Sequence, residues 1–399
     1  MNRVERLIQE LCPDGVECRD LGVLARRNKG ISITARKMKE IASHNGEVRI
    51  FAGGNTFVDA ALEEIDAHSV VCEPSIVIKS RGNIGLEYYD KPFTHKSEIW
   101  SYTVLDRDVE GKFVFYFLQT QVENLQNIAR SKSVKLPQLS VGDTDMLRIP
   151  IPPIEVQREI VRILDKFSAL EAELEAELEA RRKQYEFYRD SLLTFRERER
   201  VTWVPMGEVG KFIRGCGIQK RDLLLEGKPV IHYGELHTIY GVSALETRSF
   251  TAQQTYERSK RAASGDLIIA TTSEDDEAVG KATVWLGDSP VAVSGDAHIY
   301  RHELEPRYVS YFFASQHFHS QKRKYLTGAK VRRISTKSLE KVLIPTRPME
   351  EQKRIADILD RFDALVNDIS IGLPAELEAR RKQYEYYRDK LLTFKELPA

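Results

Sequence analysis

Glu177–Phe195 reads ELEARRKQYEFYRDSLLTF, and Glu376–Phe394 reads ELEARRKQYEYYRDKLLTF. Only Phe187 against Tyr386 and Ser191 against Lys390 distinguish them. Upstream, IPPIEVQREIVRILDKF (Ile151–Phe167) matches TRPMEEQKRIADILDRF (Thr346–Phe362). One long stretch therefore occurs twice, and its reading decides the fold.

Apolar residues in the first copy fall at Ile160, Leu164, Phe167, Leu174, Leu178, Tyr185, Tyr188, Leu192 and Phe195. Steps of three, four and seven are the heptad spacing of a coiled-coil seam. The second copy repeats the seam at Ile355, Leu359, Phe362, Leu377, Tyr384 and Leu391. Glu171 and Arg181 interrupt the first seam, and seam polars weaken packing while fixing register. No Gly or Pro follows Pro153 before Phe195, and Pro is tolerated in a first helical turn. The spacing predicts a rod over Pro153–Phe195, about 60 Å long.

The second copy carries four more residues between Phe362 and Leu377. Four residues are close to one turn, so the apolar face can stay aligned as a stutter. The region reads ISIGLP, and Gly372 and Pro374 disfavour a helix interior. A break is expected there, with Pro374 opening a new helical segment.

The chain has 399 residues, enough for two or three domains with cores. Charged residues make up 30% and balance to zero net charge, so only local patches can favour nucleic acid. Cys12, Cys18, Cys72 and Cys216 form no CxxC pair, which points to a reduced protein without zinc. No apolar run approaches a membrane span and the amino terminus has no signal-peptide core, so a soluble, cytoplasmic protein is expected.

A globular region precedes each rod. In the first, Val48–Phe51, Ser75–Lys79 and Ile99–Leu105 suit strands, with turns at Gly53-Gly54 and Arg81-Gly82-Asn83. Phe113–Ile128 reads as one amphipathic helix whose aromatics belong to the core. The second offers strands at Pro229–Tyr233, Asp266–Thr272, Ala282–Leu286 and Ala297–Arg301, then an aromatic helix near Tyr308–Phe318. LGVL (Leu21–Leu24) answers to MGEV (Met206–Val209). The whole chain thus reads as a tandem repeat, divided as 1–150, 151–198, 199–345 and 346–399. The rods are nearly identical and the globules diverged. That contrast fits one job done twice by the rods and related jobs on different targets by the globules.

No catalytic motif stands out. Val279-Gly280-Lys281-Ala282 has only part of a phosphate-binding loop, and no GxGxxG or Asn/Asp-Pro-Pro-aromatic motif is present. His298 and His302 lie four apart on an expected strand and read as structural. Glu110-Gly111-Lys112 and Glu226-Gly227-Lys228 match half of a nuclease site, as tripeptides in a charged chain do by chance. Neither a catalytic residue nor a metal ligand is assigned.

Basic patches are more informative. The first globule carries Arg26, Arg27, Lys29, Arg36, Lys37 and Lys39, then Arg130, Lys132 and Lys135. The second carries Arg214, Lys220 and Arg221, then Lys322, Arg323, Lys324, Lys330, Arg332 and Arg333. Recurrence at corresponding places points to phosphate-binding surfaces that position a duplex. Base reading needs polar side chains on turns. Lys79, Ser80 and Arg81 end a strand in the first globule; Thr271, Thr272, Ser273, Glu274 and Asp275 end its counterpart. An acidic loop repels phosphate, so two readings stand: a carboxylate there accepts from a cytosine amino group, or the stretch is only an exposed acidic turn.

With CPDGVE (Cys12–Glu17), IPIPPIEVQREIVRILDKF, LIPTRPMEEQKRIADILDRF and the paired ELEARRKQYE segments in view, the chain resembles the specificity (S) subunits of type I restriction–modification systems over essentially its full length. The resemblance implies an α+β fold. Two globular mixed α/β target recognition domains would alternate with two long helical spacers, packed as an antiparallel coiled coil in a pseudo-twofold tandem repeat. It further implies that each domain reads half of a split double-stranded DNA site. Two methyltransferase (M) and two restriction (R) subunits would bring S-adenosylmethionine, ATP and magnesium, the chain itself holding no cofactor. The spacers would dock the M subunits and set the unread gap. A protein-binding coiled-coil scaffold and the specificity subunit of a fused system are the rival readings.

Overall fold

The computed structural model describes residues 3–133, 135–195, 201–368 and 370–397. The chain divides into two compact units that do not follow sequence order. Met1–Glu173 joins with Leu377–Ala399, while Leu174–Glu376 forms the other.

In the first unit a four-stranded sheet runs in the order Ala25–Asn28, Trp100–Val104, Ser75–Lys79, Gly85–Tyr89. Ser75–Lys79 is central, and its unbroken apolar run Ile76-Val77-Ile78 is buried on both faces. A three-stranded sheet places Val48–Phe51 between Phe57–Ala60 and Phe93–His95, the last pairing parallel. The second unit repeats this topology. Its main sheet runs Gly210–Arg214, Ala297–His302, Leu267–Ala270, Ala282–Trp285, with Ser243–Ala244 added at the edge. Its smaller sheet places Lys228–Ile231 between Ser249–Thr251 and a parallel Val291–Val293, with Arg261–Ala262 added. Gly30 and Gly215 hold corresponding places. A Cβ would lie 2.4 Å from the Lys96 carbonyl oxygen in one and 2.1 Å from that of Ser294 in the other. Only glycine lets the backbones approach so closely.

Each aromatic helix is in fact two helices. Gly111–Thr120 and Val122–Lys132 are parted at Gln121, whose N–H bonds back to the Leu118 carbonyl. Pro306–Ala314 and Gln316–Arg323 are parted at Ser315, whose extended backbone (φ −81°, ψ 153°) stops the first while its hydroxyl caps Phe318 N–H at 3.3 Å. Their aromatics are core: Phe113, Phe312 and Phe318 are fully buried, each contributing roughly 2–3 kcal/mol.

Short antiparallel ribbons lead into the rods, Glu17–Asp20 with Arg148–Ile151 and Thr202–Pro205 with Leu343–Thr346. The first rod is one helix, Ile154–Leu193, of 40 residues. The second is broken, Met349–Asn367 and then Leu373–Leu391. Asp368 turns extended and accepts the Ser370 N–H at 2.7 Å. Gly372 then packs where a Cβ would meet the Ala364 carbonyl at 2.4 Å, and Pro374 sits in the first turn of the new helix.

Matching side chains fasten rod to globule in both units. Gln157 accepts the Glu110 N–H at 2.8 Å and donates to the Pro152 carbonyl at 2.7 Å. Gln352 accepts the Glu305 N–H at 2.9 Å and donates to the Arg347 carbonyl at 2.7 Å. Asp165 accepts Tyr116 Oη at 2.6 Å and Lys112 Nζ at 2.9 Å; Asp360 accepts Tyr311 Oη at 2.7 Å and Arg307 Nη1 at 2.5 Å. Glu110 and Lys112 thus serve this fastening.

Within the first unit, the helix through Glu173 meets the helix from Leu377 in opposite chain directions. Phe167 reaches Tyr384 and Tyr387, while the later Glu171 pairs with the earlier Arg381 at 2.6 Å. Ile160, Leu164, Leu377 and Leu391 are buried here, and Phe167 and Tyr384 half-buried. In the second unit Leu178, Tyr185, Ile355 and Leu359 are buried, and Leu174 and Phe362 half-buried. Leu192 is half-buried, and its neighbour Leu193 is fully buried instead. Arg181 is exposed and bonds along its own helix to Gln184 at 2.9 Å, so it is no buried seam polar.

Candidate nucleic-acid interface

In the first globule, Arg26 and Arg27 are exposed on the strand Ala25–Asn28, which lies at the edge of its sheet. Arg26 pairs with Glu73 at 3.0 Å and Arg27 with Asp145 at 2.9 Å. Exposed pairs of this kind hold about 0–1 kcal/mol, so phosphate can compete for them. Lys29 is exposed at the strand's end. Arg36 and Lys37 sit on the helix Ala35–Ile41, which Thr34 caps by accepting the Lys37 N–H, and they reach Glu40 and Glu64. Lys79 is spent on Glu87 at 2.8 Å and Asn55 at 3.3 Å. Arg81 is exposed and donates to Gln138 Oε1 at 3.2 Å. Lys132 binds Asp143 and lies 3.3 Å from Ser140 Oγ.

In the second globule, Arg214 ends the edge strand Gly210–Arg214 and donates to the Gly295 carbonyl at 3.2 Å. Lys220 and Arg221 are exposed on a separate turn, Lys220–Asp222. Lys324 and Lys330 are exposed. Arg332 is held by Asp276 Oδ1 at 2.5 Å.

Lys322 corrects the sequence reading. It is 1% exposed and donates to the Glu277 carbonyl at 2.7 Å and the Val279 carbonyl at 2.5 Å. Burial pushes its ammonium down to about 8. It ties the Glu274–Glu277 turn to the helix Gln316–Arg323 and does not reach out to phosphate. The acidic turn is also not the free repulsive loop it resembles in sequence. Asp276 pairs with Arg332, and Glu277 pairs with Arg323 at 3.0 Å. Glu274 and Asp275 remain exposed.

Thr271 and Thr272 are buried, 5% and 7% exposed, and Thr271 Oγ1 is spent on the Asp296 carbonyl at 2.9 Å. They help to line a polar cleft of about 340 Å³ with Arg214, Asp296, His298 and Arg333. His298 Nε2 bonds Thr336 Oγ1 at 2.8 Å, while its buried Nδ1 has no partner among the described residues. Burial, and then the Arg214 charge, hold its imidazole below the usual value, so it is neutral. Positive, carboxylate and neutral imidazole groups on one concavity can donate and accept hydrogen bonds at a base edge. The structure brings Arg214, Thr271 and Thr272 together here; Lys220, Arg221, Lys324 and Lys330 do not line the cleft. Asp296, His298 and Arg333 were not singled out as readers from sequence, because only strand register places them beside Thr272.

A family model described as type I restriction modification DNA specificity domain matches residues 27–180 and again 200–379. The chain is 29% identical over 361 residues to the EcoR124I/EcoR124II type I restriction enzyme specificity subunit of Escherichia coli, covering 87% of both chains. It is 28% identical over 298 residues to a putative type I restriction enzyme specificity subunit of Haemophilus influenzae, covering 72% of this chain and 73% of that one. Among solved structures, the type I restriction–modification S subunit of M. genitalium superposes with a TM-score of 0.56 at 16% identity, over 94% of this chain and 96% of that one.

Proposed function

The chain belongs to the type I restriction–modification DNA specificity family and carries two such domains in tandem, and from that premise we propose that each domain reads one half of a bipartite DNA site. It is a DNA-recognition subunit and not the catalyst. The observation that carries the reading is the repeat itself. Two globules share one sheet topology but present different side chains, while the segments Glu177–Phe195 and Glu376–Phe394 of the rods that follow them are nearly identical in sequence. Shared topology gives one way of gripping a duplex; divergent side chains give two sequences read.

The spacers, in this proposal, set the unread gap and dock the methyltransferase subunits. The uninterrupted helix Ile154–Leu193 supports the first role, since a continuous helix resists bending. Exposed Phe187 and Tyr386, at matching places of the two copies, support the second. Two M and two R subunits would complete the assembly and hold S-adenosylmethionine, ATP and magnesium. Its setting would be the cytoplasm; among the described residues no helix is long and apolar enough to cross a membrane.

The test is to purify the chain with its M subunits, measure duplex binding against salt and map the methylated sequence. A bipartite motif and steeply salt-dependent binding are expected. Salt-insensitive or absent binding would favour a protein scaffold. Removing four residues around Ile369–Gly372, of which Ile369 lies outside the described residues, should change the gap and leave both half-sites intact.

A further inference from the structure

The two globules can be aligned by hydrogen bonds instead of by sequence. Ser80 Oγ donates to the Glu98 carbonyl at 2.7 Å, and Thr271 Oγ1 to the Asp296 carbonyl at 2.9 Å. The Leu139 N–H bonds the Ser80 carbonyl at 2.9 Å, and the Ile334 N–H bonds that of Thr271 at 3.0 Å. Arg81 then pairs across a bridge with Gln138, as Thr272 pairs with Arg333. The backbone frame is therefore the same in both. What differs is what it presents: Arg81 with Gln138 in one globule, Thr272 with Arg333 in the other.

If both globules grip DNA alike and read different sequences, the reading positions must coincide in the frame, reach solvent and differ in chemistry. Position 138/333 meets all three conditions. Gln138 and Arg333 are both exposed. Arg333 lines the polar cleft, and its guanidinium has no partner among the described residues. Gln138 is oriented by Arg81, which donates to Oε1 from Nε at 3.3 Å and Nη2 at 3.2 Å. Both donors converge on that one oxygen, so an adenine N6–H would share Oε1 with Arg81, while both amide hydrogens face a ligand.

We propose that Arg333 and Gln138 are corresponding base-reading residues, Arg333 recognising a guanine in one half-site and Gln138 an adenine in the other. An arginine fork matches the O6 and N7 acceptors of guanine, and a glutamine amide matches the N6 donor and N7 acceptor of adenine. Arg81 is a positioning residue for Gln138. In the second globule Thr272, short and buried, leaves the guanidinium of Arg333 unclaimed. The inference rests on the family reading and assigns, within it, which side chain reads which base.

The test uses the whole complex with its M subunits and maps the methylated motif. Arg333→Gln should weaken discrimination at one guanine of a single half-site roughly tenfold to a hundredfold and shift it toward adenine. The other half-site and the gap should stay as they were. Gln138→Arg should do the reverse in the opposite half-site. Arg81→Ala should relax the same adenine position as Gln138→Ala, an effect that simple loss of phosphate binding would spread over all sequences. Should a variant lose methylation, binding to the wild-type site and its single-base changes replaces it as the readout. Unaltered discrimination by both Arg333→Gln and Gln138→Arg overturns the assignment. A wild-type complex that methylates no split motif would instead overturn the family-based reading, so the two failures are separable.

Discussion

Phe167 lies flat on Tyr387, ring centroids 5.6 Å apart at 25°. In the other unit Phe362 lies on Tyr188 at 5.2 Å and 27°. Phe167 and Phe362 match in the repeat, as do Tyr188 and Tyr387, so one contact is built twice with the halves exchanged. Stacked pairs contribute about 0.5–1.5 kcal/mol beyond burial. A double-mutant cycle of Phe362→Ala with Tyr188→Ala should give a coupling in that range by urea denaturation, and the Phe167/Tyr387 cycle the same within error. Coupling near zero in either would mean that the rings are neighbours only.

Gln352→Ala leaves the buried Glu305 N–H and Arg347 carbonyl without their side-chain partner. A cost of about 1–3 kcal/mol is expected, and Gln157→Ala should match it. Amide exchange at Glu305 and Glu110 should accelerate accordingly.

Acid should loosen the second unit. Burial, the main cause, pushes His302 and His319 down from 6.5 to about 4. Between those values the unfolded chain takes up protons that the folded chain refuses. Stability is therefore fully present above about 6.5 and falls toward pH 4, by about 1.4 kcal/mol per pH unit for each such histidine. Asp363, raised by burial, acts with the opposite sign and gains as it protonates. Hydrogen exchange at pH 7 and pH 4.5 should show protection lost in Leu174–Glu376, and His302→Leu should flatten the slope.

Lys322 and Lys324 should behave oppositely despite being two residues apart. Lys322→Ala strips the Glu277 and Val279 carbonyls of a donor and should cost about 1–3 kcal/mol in stability. The salt dependence of DNA binding should not change. Lys324→Ala should leave stability within about 0.5 kcal/mol and, if it meets phosphate, lower the salt slope by about one.

The rods, the break at Gly372 and the interior strands of the two main sheets were legible because apolar period, Gly and Pro act locally, whereas edge strands such as Ala25–Asn28 and Gly210–Arg214 carry too little apolar signal to stand out. Ser75–Lys79 and Ala297–His302 fall within a residue or two of the readings. The split helices were not legible, since Gln121 and Ser315 are tolerated inside helices and only their hydrogen bonds show the stop. Nor could charge alone separate Lys322 from Lys324: a helix repeats every 3.6 residues, so neighbours two apart face differently. The partnership of Arg333 with Thr272 depends on antiparallel pairing between positions 61 apart in the chain and is invisible to any local pattern.

The contacts at Val16, which pairs with Glu396 and accepts the Leu397 N–H, give synthesis an order. The ribosome makes the first globule early, yet residues that complete its unit are translated after all of Leu174–Glu376. The later-made unit is contiguous and can finish first, while the earlier one waits with Ile160 and Leu164 uncovered by Leu391. A nonsense mutation beyond Leu377 would spare the nearby reader and cripple the distant one, so a lesion at the carboxyl end should register as a fault at the beginning.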